Sequence, residues 1–301
     1  MSWSERKRRA LVGDGLEMAY VDEGSGPTVV LLHGNPTSSY LWREVMPPLV
    51  EAGARCVAPD LIGMGDSDVL PDSGPGRYTF AEHARYLDAF MDAVVGEGPV
   101  TLVVHDWGSG LGFHWAERHR DRVAAIAYME ALVAPVTWDD WPEAARGLFQ
   151  AMRGEAGEDL VLQRNVFVEK ILPASVLGGL SEEVMAEYRR PYLEPGESRR
   201  PTLAWPRMIP IEGEPPDVHE AIVAYADWLA GSASLPKLFV DAEPGSILIG
   251  QQRLFALSWP NQQVVTVAGS HFVQEDSGRQ IGTAVAGWLA ELGILRPAGQ
   301  P

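Results

Sequence analysis

The sequence is poor in positive charge. Its 301 residues carry 24 lysines and arginines against 41 acidic residues, a net charge of -17. Nucleic-acid phosphates call for a basic surface, and so does the anionic face of a membrane. Neither is expected as a partner. Cysteine is almost missing: Cys56 stands alone. No disulfide can form within the chain, and the apolar run around Cys56 makes it a buried, inert thiol. No stretch approaches membrane-spanning length. The charged first residues are followed by no apolar segment of signal-peptide length, so the chain is read as cytoplasmic, and as a monomer. It has no internal repeat. The one biased segment is a short Pro/Gly tail at residues 296–301, expected to fray. No histidine pair has zincin-type spacing, so no metal is expected, and no cofactor is called for.

What is present is an ordinary globular composition, 46% hydrophobic and 22% charged. The length suits a large α/β fold with an inserted subdomain. Residues 9–12 and 17–21 read as two strands joined by a Gly-Asp-Gly turn. Residues 28–32, 55–58, 100–104 and 123–129 are short apolar runs, as expected of strands buried on both faces. Residues 40–52 and 80–95 read as helices between them. Strands alternating with helices imply right-handed crossovers and a mostly parallel sheet. Ligands then sit beyond the carboxyl ends of the strands.

After Glu130 the alternation stops. Residues 131–213 hold Trp138, Trp141, Phe149, Phe167, Trp205 and several prolines but no buried-strand run. Helical stretches are expected at 159–172 and 181–188. This segment is read as a helical cap, inserted between a first core part, 1–130, and a second, 214–301. Strands resume at 237–241 and 263–267, and a helix at about 278–292 closes the core.

The stretch that organises the chain is Val100-Thr-Leu-Val-Val-His-Asp106-Trp107-Gly108. A β run ends at a carboxylate, a glycine follows two residues on, and a helix begins. A strand that turns sharply into a helix exposes the turning residue above a sheet, the geometry of the nucleophile elbow. An aspartate at a helix start also commonly caps it. The residues elsewhere decide between these readings. The strand at 263–267 ends in Ala268-Gly-Ser-His271-Phe272, which places His271 where the base of a nucleophile, acid, histidine order falls. A histidine base needs an acid to fix its tautomer. Glu130 ends one strand, and Asp241 and Glu243 end another; either position can serve. An unpaired Glu130 after an apolar run would be costly, so a bond to His271 gives it a reason. His33 and His105, at strand ends, are read as orienting loops.

An aspartate nucleophile attacks an sp3 carbon, expels a leaving group and forms an ester, which histidine-activated water then cleaves. Backbone N–H groups of Asn35 and Trp107 are placed to stabilise the resulting oxyanion. Their side chains carry two further N–H donors, on the loops flanking Asp106. Two neutral donors in an apolar cavity suit a halide.

With these residues in view, the chain resembles the haloalkane dehalogenases of the α/β-hydrolase fold along nearly its full length. The matching stretches are His33-Gly-Asn-Pro36, Val104-His-Asp-Trp-Gly-Ser109, Tyr128-Met-Glu130, Leu148-Phe-Gln150, Asn165-Val-Phe167, Pro201-Thr-Leu-Ala-Trp-Pro206 and Ala268-Gly-Ser-His-Phe-Val-Gln-Glu-Asp276. The resemblance implies Asp106 as nucleophile, His271 as base, Glu130 as acid, and Asn35 with Trp107 as halide donors. It also implies an apolar pocket lined by Phe149, Phe167, Pro206, Ile247 and Phe272. Its substrates would be a small halogenated alkane and water, its products an alcohol, a halide ion and a proton. The elbow is shared with epoxide hydrolases, whose cap tyrosines protonate the leaving oxygen; Tyr188 and Tyr192 are the candidates here. A coelenterazine-type luciferase shares the motifs, and a ligand-binding receptor on the same scaffold is the non-enzymatic alternative.

Overall fold

A computed structural model describes residues 2–295; the tail at 296–301 lies outside them. The chain opens with strands β1 (Arg8–Leu11), β2 (Glu17–Gly24) and β3 (Thr28–Leu32), then helix α1 (Met46–Glu51), β4 (Arg55–Pro59), α2 (Phe80–Phe90), β5 (Val100–Asp106), α3 (Trp107–Arg118) and β6 (Val123–Ala131). A helical excursion follows: α4 (Glu143–Arg153), two π-type turns, Glu158–Gln163 and Phe167–Ile171, the short α5 (Leu172–Ala174), α6 (Glu182–Arg189) and α7 (Arg200–Met208). The chain then runs through α8 (Pro216–Gly231), β7 (Lys237–Pro244), α9 (Gly250–Leu257), β8 (Gln262–Gly269) and α10 (Val273–Glu291).

The eight strands form one sheet in the order β1-β2-β4-β3-β5-β6-β7-β8. β1 and β2 join antiparallel, and the six strands from β4 to β8 run parallel. Alternation along each strand feeds two cores. Val30, Leu32, Leu102 and Val104 pack under α2, α3 and α8. Val29, Leu31, Cys56 and Val103 face the other way, under α1 and α10. A strand buried on both faces needs apolar residues at every position, which is why these runs are continuous in the sequence. Cys56 is fully buried, and loss of hydration pushes its thiol up to about 12, so it stays protonated and unreactive.

Three helices differ from the sequence reading. Residues 40–52 are a single 3-10 turn, Ser39–Trp42, followed by α1. Pro47 and Pro48 lack the N–H groups that would carry a helix through from Tyr40, but they are tolerated in the first turn of a new one. Residues 159–172 break at Asn165, which takes a left-handed φ of 52°. The closing helix begins earlier, at Val273, and kinks at Ser277. β2 also extends through Gly24, where its pairing with β4 continues; α8 and α9 are additional to the elements expected from the sequence.

Candidate active site

β5 ends in the middle of the sheet, and the chain reverses into α3 at Asp106, whose φ and ψ are 48° and -130°. This is a strained conformation for a residue with a side chain. The surroundings hold it there. The Ser109 hydroxyl donates to the Asp106 carbonyl and accepts from the Leu132 N–H at 2.8 Å. Gly108 allows α3 to press onto β3: a Cβ there would sit 2.1 Å from the Leu32 carbonyl oxygen. Gly34 makes room on the other side, since a Cβ would lie 2.0 Å from Asp106 Oδ1.

The Asn35 N–H donates to Asp106 Oδ1 at 2.8 Å. Oδ2 lies 3.5 Å from Nε2 of His271. His271 Nδ1 is 3.1 Å from Oε2 of Glu130. Glu130 is almost wholly buried, and also accepts the Ser246 N–H at 3.1 Å and the Ile247 N–H at 2.9 Å. Of the two positions left open by the sequence, the one at the end of β6 therefore meets the histidine. Asp241, within β7, is instead paired with Arg253 through two contacts of 2.9 and 2.6 Å.

Burial alone would push the His271 pKa down. Its hydrogen bonds to Asp106 and Glu130, with their negative charges, outweigh that and hold it up at about 9. Burial would raise the Asp106 pKa. The contact with His271 and the backbone N–H of Trp107 reverse this and keep it below its ordinary value.

His105 and His33 both orient loops. Nε2 of His105 lies 2.8 Å from the His271 carbonyl, which can only accept, so the proton is on Nε2. Burial lowers the His105 pKa to about 3, keeping it neutral. His33 accepts the Leu61 N–H on Nε2 at 2.9 Å and donates from Nδ1 to the Gly34 carbonyl. Lost hydration lowers its pKa to about 4.

Above Asp106 lies a cavity of about 620 Å³ of empty space, counting its mouth. Asn35, Trp107 and His271 share its floor with Asp106, and Phe149, Phe167, Pro206 and Ile247 line its walls. Phe272 does not. It is fully buried behind His271, its ring 4.8 Å away and edge-on, among Leu41, Val168 and Leu172. Neighbouring residues in a turn point apart, and His271 takes the cavity side.

Ala145, Ile171 and Ser175 line the wall beside the expected Phe149 and Phe167. Phe167, Ile171 and Ser175 recur every fourth residue, as do Ala145 and Phe149 on α4, and all five face the cavity. That helical spacing was the available signal. Leu132, Trp141, Pro142, Ile209 and Ser246 complete the lining. No tyrosine is among the lining residues. Tyr188 donates its hydroxyl to Glu275, and Tyr192 is buried away from the cavity. The protonating tyrosines expected of an epoxide hydrolase do not reach the site.

The same fold and the same arrangement of the chain occur in known proteins. Residues 27–277 match the profile of the alpha/beta hydrolase fold family. A haloalkane dehalogenase of Sphingobium indicum is 57% identical over 284 residues, 94% of each chain. A haloalkane dehalogenase of Mycolicibacterium smegmatis is 51% identical, covering 93% of this chain and 89% of that one. The crystal structure of haloalkane dehalogenase DbeA from Bradyrhizobium elkani superposes with a TM-score of 0.88 at 42% identity, covering 96% of this chain and 98% of that one. Identity of this order over nearly the whole length, on a fold that puts an aspartate at the elbow below an apolar cavity, settles the relationship: the chain belongs to the haloalkane dehalogenase family of the α/β-hydrolase fold.

Proposed function

We propose that the chain hydrolyses the carbon–halogen bond of small halogenated alkanes, releasing an alcohol, a halide ion and a proton. The observation that carries this reading is the cavity floor: a carboxylate, an imidazole and two side-chain N–H donors under apolar walls. Asp106 Oδ1 is held by the Asn35 N–H, so Oδ2 is the attacking atom. It displaces the halide and leaves an alkyl ester. Trp107 Nε1 and Asn35 Nδ2 donate to the halide as negative charge grows on it, which stabilises the transition state more than the substrate. Water, deprotonated by His271, then attacks the ester carbonyl carbon. The charge that forms on Oδ1 meets the backbone N–H groups of Asn35 and Trp107. Glu130 orients the imidazole and stabilises its charged form. Collapse releases the alcohol and restores the carboxylate.

In this reading residues 131–213 are the cap that closes the cavity, and the core is 1–130 with 214–301. The chemistry needs no metal or cofactor, and the enzyme acts as a monomer in the cytoplasm. Among the described residues no helix is long and apolar enough to cross a membrane. Incubation with 1-bromobutane tests the reading. Bromide and 1-butanol should form in equal amounts with the parent and not with Asp106→Ala; turnover by that variant at the parental rate would remove Asp106 from the chemistry.

A further inference from the structure

α7 carries a proline in its interior, Pro206. In a helix the N–H of residue 206 would bond to the carbonyl of residue 202. Proline has no N–H, so the Thr202 carbonyl loses its ladder partner. Thr202 and Pro206 are both buried, and a buried carbonyl without a donor is destabilising. The donor comes from the far side of the cavity floor. Nδ2 of Asn35, in the loop after β3, lies 3.2 Å from the Thr202 oxygen.

This contact decides which way the Asn35 amide faces. Turned over, the amide would set Oδ1 against the Thr202 oxygen, two acceptors in contact. The carbonyl therefore selects the orientation with Nδ2 toward α7. Oδ1 is left buried with no partner, a cost accepted at this position. The amide group has two N–H bonds. Thr202 takes one, and the other has no protein acceptor among the described residues. On the same helix, the Trp205 ring packs 4.8 Å from that of Trp107, so α7 backs both donors of the floor.

We propose that Pro206 is a positioning residue for Asn35. By withholding an N–H from the Thr202 carbonyl, it reserves that acceptor for the Asn35 amide and so fixes the second amide N–H at the halide end of the cavity. This rests on the reading of Asn35 as a halide donor. Pro206 thus does more than fill a wall of the pocket. An ordinary residue at 206 would close the ladder and compete with Asn35 for the same oxygen.

The test is bromide affinity by titration calorimetry on the parent, Pro206→Ala, Pro206→Ser, Asn35→Ala and the double variant Pro206→Ala with Asn35→Ala. Removing a proline from a helix interior favours the helix, so the fold is expected to survive. Both substitutions at 206 supply the same N–H, and each should weaken bromide binding about fivefold, the worth of one net hydrogen bond. Asn35→Ala should weaken it at least as much. In that background Pro206→Ala should add nothing, because the two act through one contact. If Asn35→Ala binds bromide as the parent does, the donor reading of Asn35 fails and takes this proposal with it. If Asn35→Ala is weakened but Pro206→Ala binds like the parent, or is weakened equally in both backgrounds, Pro206 does not act through Asn35. Loss in Pro206→Ala with parental affinity in Pro206→Ser would point to cavity shape and overturn the proposal equally.

Discussion

Nε2 of His271 stands 3.5 Å from Oδ2 of Asp106, so the base and the nucleophile form an ion pair in the resting site. With its pKa held up at about 9, His271 is an imidazolium below that pH and cannot yet take a proton from water. Esterification removes the negative charge of Asp106, which is one of the two charges holding the pKa up. The imidazolium then becomes more acidic and gives up its proton, and the neutral ring is available when the water attacks.

The timing of proton release follows from this. In a single turnover just below pH 9, a pH indicator should report the proton with the halide, during alkylation. A proton that appears only with the alcohol would mean that His271 is neutral before the ester forms.

Glu130 accepts three N–H groups, from Ser246, Ile247 and His271. Glu130→Gln would turn an NH2 group toward one of these donors and disorder the imidazole. The turnover rate should fall by roughly a thousandfold or more. Asp241 is occupied by Arg253, so Asp241→Asn should leave the rate near parental. Steady-state kinetics of the two variants decides between the positions; the reverse result would move the acid to the end of β7.

Trp107→Phe keeps most of the ring and deletes the indole N–H. Losing one donor aimed at developing charge in a dry site removes about 3 kcal/mol of transition-state stabilisation, on the order of a hundredfold in rate. Asn35→Ala should be impaired as well. Chloroalkanes should suffer more than iodoalkanes, because chloride is the poorer leaving group. Parental rates on chloroalkanes in both variants would place the halide elsewhere.

What the sequence showed of the site was whatever a strand end marks. Asp106, Glu130 and His271 each follow an apolar run that stops at a polar residue, and the structure brings the three together within two contacts. The choice between Glu130 and Asp241 depended on where Arg253 would fall, and α9, which carries it, has too weak a pattern to be read. The pocket walls were legible only in part. Phe149 and Phe167 sit on recurring faces, whereas Phe272 follows His271 in a turn, where no periodicity tells inside from outside. The region 159–172 looked like one helix because its apolar spacing continues across Asn165. The left-handed backbone there breaks it, and asparagine tolerates that conformation better than most residues. Pro206 shows the opposite case: a proline ordinarily breaks a helix, yet here the helix continues and the freed carbonyl accepts from Asn35, in another loop.

The central claim is that Asp106 becomes covalently alkylated and that His271 is needed only afterwards. Asp106 is already ionised and needs no base for its attack, whereas the water does. His271→Phe should therefore form the ester and stall. Intact-mass spectrometry of this variant after incubation with 1-bromobutane should show one added butyl group per chain, and peptide mapping should place it on Asp106. Bromide release should stop after a single equivalent. An unmodified chain in a variant that still binds the substrate, or an adduct on any residue other than Asp106, would contradict the account.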